Sequence, residues 1–225
     1  QALGGSVPEF AHHSLLTGPQ GEGLSKRLGT LALRDMRAKG IAPEALISLM
    51  ARLGSSQPVD LQSDLDAVCD GFDLSQFGSA PTKFDVEDLF PLTARHLQSL
   101  SVSDVADDIR DLGVPEDLAE GFWTVVRDNI STLNDLAGWW ALCSKGAEPV
   151  ISQADSDFVS QAMALLPEGP YNGETWSNWT SAVKVVTGRK GKGLFMPLRL
   201  ALTGQADGPD MSSMMPLLQV IKAKP

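Results

Sequence analysis

Cysteine is nearly absent. Cys69 and Cys143 lie far apart, and no CxxC pair occurs. Such spacing argues against a disulfide framework and against paired-cysteine zinc sites, and no metal ligand set is expected. Two reduced cysteines suit the cytoplasm. No uninterrupted apolar stretch approaches the ~20 residues needed to span a bilayer, so no membrane partner is expected. No signal peptide is visible, and no tract is of low complexity. Alternation of period two is never sustained, which argues against a sheet. A strand is expected only around Glu9 to Leu16.

What is present reads as helix. Leu31 to Lys39 and Pro43 to Leu53 predict two short helices separated by Gly40. Pro43 suits a first-turn position and Gly54 a helix end. Leu46, Ile47, Met50 and Leu53 fall at helical spacing, which predicts a buried face. Ser55 to Pro81 is rich in Ser, Gly and Asp, with one short helix expected over Asp60 to Cys69. Asp85 can cap a helix running to about Leu100. Further helices are predicted from Ser103, from Pro115, and over Thr132–Ser144, Asp155–Leu166, Trp176–Thr187, Leu194–Leu202 and Ser212–Lys224. Pro197 is expected in the first turn of its helix, where proline is tolerated. Trp139, Trp140, Trp176 and Trp179 could stack exposed bases, but their spacing favours a helical core. Met214 and Met215 read as core in the same way, and Met211 is set apart because it falls at the turn after Gly208 and Pro209.

The fold expected is all-α, with one or two cores in 225 residues. A domain transition is placed near residue 80. It divides a first segment, 1–80, from a helical domain, 81–225, with a possible subdivision near 146.

The net charge is −10, which by itself disfavours nucleic acid. Its distribution says otherwise. Acids crowd the interval from Asp60 to Glu120. Between Glu174 and Asp207 there is no acid at all, while Lys184, Arg189, Lys190, Lys192 and Arg199 fall there. A second basic segment holds Lys26, Arg27, Arg34, Arg37 and Lys39 against the single acid Asp35. Phosphate contacts need local cations, and an acidic remainder repels non-specific RNA. The competing reading is that each basic run is a solvated face.

The tetrapeptide Leu24-Ser25-Lys26-Arg27 places a hydroxyl and two cations just ahead of a helix. That arrangement can meet a polyphosphate with an ammonium and main-chain N–H groups. Its context, PEFAHHSLLTGPQGEGLSKRLGTLALRDMRAKGIAPEALISLMARLGSS, resembles the middle of a bacterial-type, class I glutamyl-tRNA synthetase. There an LSKR form of the KMSKS signature precedes a helix and a PEAL segment. KFDVEDLFPLTARHL (Lys83 to Leu97) and TGRKGKGLFMPLRLALTGQADGPDM (Thr187 to Met211) continue the resemblance in order. The chain departs from the signature at Gly23, where the family has a lysine. The family's HIGH-type nucleotide motif is not found, and the chain opens on Gln1. It therefore reads as the C-terminal half of a synthetase, a dissected or proteolysed piece.

The resemblance implies a stem-contact-type helical segment followed by an anticodon-binding helical bundle. It implies an ATP site at Leu24, Ser25, Lys26 and Arg27, with Lys26 and Ser25 catalytic. It places anticodon recognition at Arg199, Gly208, Pro209 and Met211, with Arg127 reading the first base. Phosphate contacts fall to Lys184, Arg189, Lys190 and Lys192. The parent enzyme would use ATP and Mg²⁺ to join glutamate to tRNA(Glu). The chain alone would need no cofactor, would be a monomer and would be inactive. Two rivals are a free-standing RNA-binding module and a structural helical adaptor.

Overall fold

The computed structural model describes residues 4–6, 10–24 and 32–223. Within them the chain forms eleven α-helices, short 3₁₀ turns and two strands of two residues each. It divides into two compact units, residues 1–99 and 100–225. The division lies beyond the expected position near residue 80, because the strand and helix that follow residue 80 pack onto the earlier segment.

In the first unit, β1 (Leu16–Thr17) and β2 (Thr82–Lys83) pair in parallel. Thr82 N–H donates to the Leu15 carbonyl at 2.9 Å, and Phe84 N–H to that of Thr17 at 2.8 Å. α1 (Leu33–Ala38) is followed by Gly40 and then α2 (Pro43–Met50), which carries its proline in the first turn. α3 (Leu65–Asp70) is capped by Asp64, whose carboxylate accepts from Ala67 N–H at 2.8 Å. α4 (Leu89–Ser99) follows a 3₁₀ turn capped by Asp85.

The core joins Met36, Ile41, Ala45 and Leu49 to Phe84, Leu89 and Leu92. Burying each of those leucines contributes about 1.5–3 kcal/mol. The buried face of α2 is Ala45, Ser48 and Leu49, which corrects the predicted face. Ile47 and Met50 are exposed, and Leu46 and Leu53 are only partly buried. On that face the Ser48 hydroxyl accepts from Gln62 N–H at 2.9 Å, while Ala45 and Leu49 join the core. Where α2 meets α4 the Ala42 N–H donates to the Thr93 hydroxyl at 3.2 Å, so a helix-end donor is satisfied by a fully buried side chain.

In the second unit a capping box at Ser101 opens a 3₁₀ turn into α5 (Ala106–Asp111). The predicted start, Ser103, is one residue inside that turn. α6 (Glu116–Val126) starts after Pro115, and α7 (Leu136–Lys145) starts after a capping box at Thr132. α8 (Ser156–Ala164), α9 (Thr175–Thr187) and α10 (Lys192–Thr203) complete the bundle.

The four tryptophans named above are buried, as the core reading expects. Phe122 and Trp140 meet edge to face at 5.5 Å, and Trp176 and Trp179 at 5.6 Å. Trp179 Nε1 donates to the Ala162 carbonyl at 2.8 Å, which satisfies its buried polar end.

Two helix expectations change. Pro197 is the sixth residue of α10, not part of its first turn. The predicted C-terminal helix over Ser212–Lys224 shrinks to α11 (Met211–Met214) and a 3₁₀ turn over Met215–Leu217. Pro216 has no N–H for the Ser212 carbonyl, so the α pattern ends there. The chain then runs along α7 instead, and Gln219 N–H donates to the Cys143 carbonyl at 2.8 Å.

Candidate nucleic-acid interface

The candidate recognition turn connects α10 to α11. Thr203 closes its start, donating to the Arg199 carbonyl at 2.8 Å and accepting from Gln205 N–H at 3.2 Å. Gly204 is left-handed, at φ +68°. Asp210 ends the turn by capping α11, accepting from Ser212 and Ser213 N–H at 2.9 and 3.1 Å. Between these anchors Gln205, Ala206 and Asp207 are exposed, whereas Pro209 and Met211 are buried.

Arg199 reaches into this turn from α10. Its Nη1 donates to the Pro209 carbonyl at 2.8 Å. Burial lowers its pKa, and the charges of Asp207 and Asp210 act in the opposite direction. Its Nε is buried without a hydrogen-bond partner. Gly208 lies between two walls. A Cβ there would sit 2.7 Å from Arg199 Nη2 and 2.7 Å from Trp139 Cη2, at a φ of +134° that side chains rarely adopt. The sequence offers Trp139 as a core residue or a base-stacking one, and the structure buries it. Its second role, backing the recognition turn, had no local signal, since the two positions meet only in the fold.

The structure brings Arg199, Gly208 and Pro209 together and draws Met211 away from solvent. Met211 is 4% exposed and anchors the turn from below, so it has no surface to offer a base here. Arg127 is on a different element, in the 3₁₀ turn after α6. Its Nη1 and the Nε1 of Trp123 both donate to the Leu100 carbonyl, at 3.5 and 3.0 Å. Arg127 Nε is also buried and unpartnered. Among the described residues Arg127 makes no ion pair with Asp117 or Asp128.

The basic run lies at the junction of α9 and α10. Lys184, Lys190 and Lys192 are exposed, and among the described residues none of them pairs with a carboxylate. Val185 and Val186 lie exposed beside them. Arg189 is different. Its Nη1 bonds Asp155 Oδ1 at 2.5 Å and the Gly193 carbonyl at 3.3 Å. Its guanidinium carbon stands 4.0 Å over the Phe158 ring. The Arg189 hydrogen bond, followed by that of Ser152, holds the Asp155 carboxyl below its usual value. Arg189 is thus engaged within the fold, unlike the three lysines expected to act with it.

Ser25, Lys26 and Arg27 lie outside the described residues. Leu24 lines an apolar hollow of ≈280 Å³ with Leu33, Met36 and Phe84. The chain is delivered to it by a tight turn, in which Gly18 N–H donates to the Glu22 carbonyl at 2.8 Å and Thr17 bridges to Gly23. Among the described residues, no group of three or more His, Cys, Asp or Glu is placed to hold a metal ion, and no helix is long and apolar enough to cross a membrane.

The basic junction and the turn pinned by Arg199 thus lie at opposite ends of α10. Residues 94–220 match the family described as anticodon binding domain, and the chain belongs to that family. It is similar along its whole length to glutamate–tRNA ligases. It is 65% identical over 223 residues to glutamate–tRNA ligase 1 of Roseobacter denitrificans, covering 99% of this chain and 51% of that protein. It is 66% identical over 224 residues to glutamate–tRNA ligase 1 of Cereibacter sphaeroides (strain ATCC 17025), covering all of this chain and 51% of that protein. The chain thus spans about half the length of the curated relatives it matches, corresponding to their C-terminal half. The fold is shared with the glutamate–tRNA synthetase of Elizabethkingia anophelis. There the TM-score is 0.71 at 23% identity, over 96% of this chain and 50% of that one.

Proposed function

We propose that this chain is the tRNA-recognising half of an ATP-dependent glutamate–tRNA ligase. The carrying observation is the similarity to such ligases along the entire chain, including the Leu24–Arg27 segment. The geometry supports the reading. Arg199 and Trp139 set the recognition turn, whose exposed tip meets the anticodon loop of tRNA(Glu). Lys184, Lys190 and Lys192 meet the phosphates. Arg127, with its unpartnered Nε, is the candidate for the first anticodon base. Unstacked bases are the usual target of sequence-specific RNA recognition, and a guanidinium offers them a planar donor fork.

The unit through α4 supplies the signature loop and contacts the tRNA stem. The unit from Leu100 supplies the anticodon end. In the whole ligase Lys26 stabilises the developing pyrophosphate charge, a preorganised electrostatic role, and Ser25 positions the loop. ATP, Mg²⁺ and glutamate are held mainly by the other half. The protein acts in the cytoplasm as a monomer.

The test is glutamate-dependent pyrophosphate exchange with ATP. The isolated chain should show none, and adding the other half of the ligase should restore it. In that reconstituted enzyme Lys26→Ala should slow activation by about 3–4 kcal/mol of barrier, with tRNA affinity little changed. Exchange by the chain alone, or activation indifferent to Lys26→Ala, would refute the assignment.

A further inference from the structure

We infer that Arg189 is a positioning residue: it supplies to the Gly193 carbonyl the hydrogen bond that Pro197 cannot make, and so fixes the basic turn between α9 and α10. Only the consequence for RNA rests on the reading above.

In an α-helix the carbonyl of residue i accepts from the N–H of residue i+4. In α10 the residue four beyond Gly193 is Pro197, which has no N–H, and its ring crowds that carbonyl. The carbonyl is thereby freed toward the preceding turn. Arg189 Nη1 donates to it at 3.3 Å. The same nitrogen is held by Asp155 Oδ1 at 2.5 Å, and Ser152 Oγ donates to the other carboxylate oxygen at 2.7 Å. The guanidinium carbon stands 4.0 Å over the Phe158 ring. Arg189 therefore links the start of α8 to the first turn of α10, with its position set from three directions.

The turn it closes carries the lysines. Gly188 ends α9 in a left-handed conformation at φ +71°, and its N–H donates to the Lys184 carbonyl at 3.0 Å. Gly191, at φ +54°, starts α10, and its carbonyl accepts from Leu194 and Phe195. Between and beside these hinges stand Lys190 and Lys192, both exposed. Two glycine hinges make the backbone permissive. A tethered guanidinium four residues from Gly193 removes that freedom before any RNA arrives, and preorganisation lowers the ordering cost of binding.

The test is a double-mutant cycle on the chain as it stands, with thermal melting and titration of a tRNA(Glu) anticodon stem-loop as readouts. Arg189→Ala should lower the melting temperature by about 2–4 °C. In a Pro197→Ala background the cost should be clearly smaller, since the restored N–H satisfies Gly193. Arg189→Ala should also weaken RNA binding by the folded protein. Pro197→Ala should recover part of that loss, and Arg189→Lys should not, because the shorter lysine cannot bring its nitrogen to Asp155 and Gly193 and has no planar group to set over Phe158. Equal melting costs in both backgrounds overturn the inference. So does full recovery of RNA affinity by Arg189→Lys, which would make residue 189 a plain phosphate contact. If Arg189→Ala does not fold, Arg189→Met, which keeps the aliphatic stem but has no donor, replaces it in the melting cycle, and equal costs in both backgrounds again overturn the inference. Unchanged RNA binding after Lys190→Ala and Lys192→Ala would sink the RNA reading, while the melting cycle would still decide the role of Arg189.

Discussion

The Nη1 of Arg199 donates to the carbonyl oxygen of Pro209 at 2.8 Å, so the arginine expected to read RNA also builds the turn that would present it. Gly208, one residue earlier, has no room for a side chain between Arg199 and Trp139. Gly208→Ala should therefore cost about 1–3 kcal/mol from backbone strain alone, with additional loss as Trp139 is displaced. Denaturant unfolding measures this. A variant as stable as the parent would mean that the turn is not held where it is described.

The exposed lysines should behave as simple phosphate contacts. Lys184→Ala, Lys190→Ala and Lys192→Ala should each weaken binding to every tRNA about equally. Each should reduce the slope of log affinity against log salt by about 0.7–0.9. Affinity measured across a salt series checks this. A sequence-selective loss would place these lysines at bases instead.

Asp155 gives a pH signature. Its folded carboxyl lies below the ordinary value of 3.8, first through the Arg189 hydrogen bond. A depressed acid contributes stability that is present above the unfolded pKa and is lost as pH falls through the folded one. At neutral pH the parent should melt above Asp155→Asn, and the gap should close as pH drops below about 4. A gap independent of pH would remove the ionic part of the contact.

The two cysteines should separate cleanly. Cys69 is exposed, whereas Cys143 is buried and its thiol is pushed up to about 12 by burial. The thiolate is the reactive form. At pH 8 a thiol reagent should titrate one group in the native protein and a second only after denaturation. Two fast groups in the native state would contradict the packing of α7.

Much of this was legible in the sequence because helix signals are local. Asp85, Pro115 and Thr132 mark their helix starts in both readings, and the tryptophans and methionines fill the core as their spacing suggests. What was not legible depends on partners distant in sequence. Local apolarity favours Leu46, Ile47 and Met50 as the inward face of α2, whereas partners distant in sequence bury Ala45, Ser48 and Leu49 instead. Pro197 sits deep in α10 where local rules place proline in a first turn, and Arg189 is the neighbour that accommodates it. β2 lacks a strand pattern, since two residues are too few to alternate. At the candidate interface the family resemblance groups Arg199, Gly208 and Pro209 with Met211, which the fold buries, and it does not separate tethered Arg189 from solvated Lys190. Nor could it foresee Trp139 behind Gly208.

The most direct test of the account is the affinity of this chain for tRNA(Glu) against the same tRNA with its anticodon replaced, measured for the parent, Arg199→Ala and Lys192→Ala. The parent should prefer the glutamate anticodon. Arg199→Ala should erase about 1–3 kcal/mol of that preference, whereas Lys192→Ala should weaken both RNAs alike and leave the preference intact. Equal binding of the two RNAs by the parent, or the same response to both substitutions, would contradict the account.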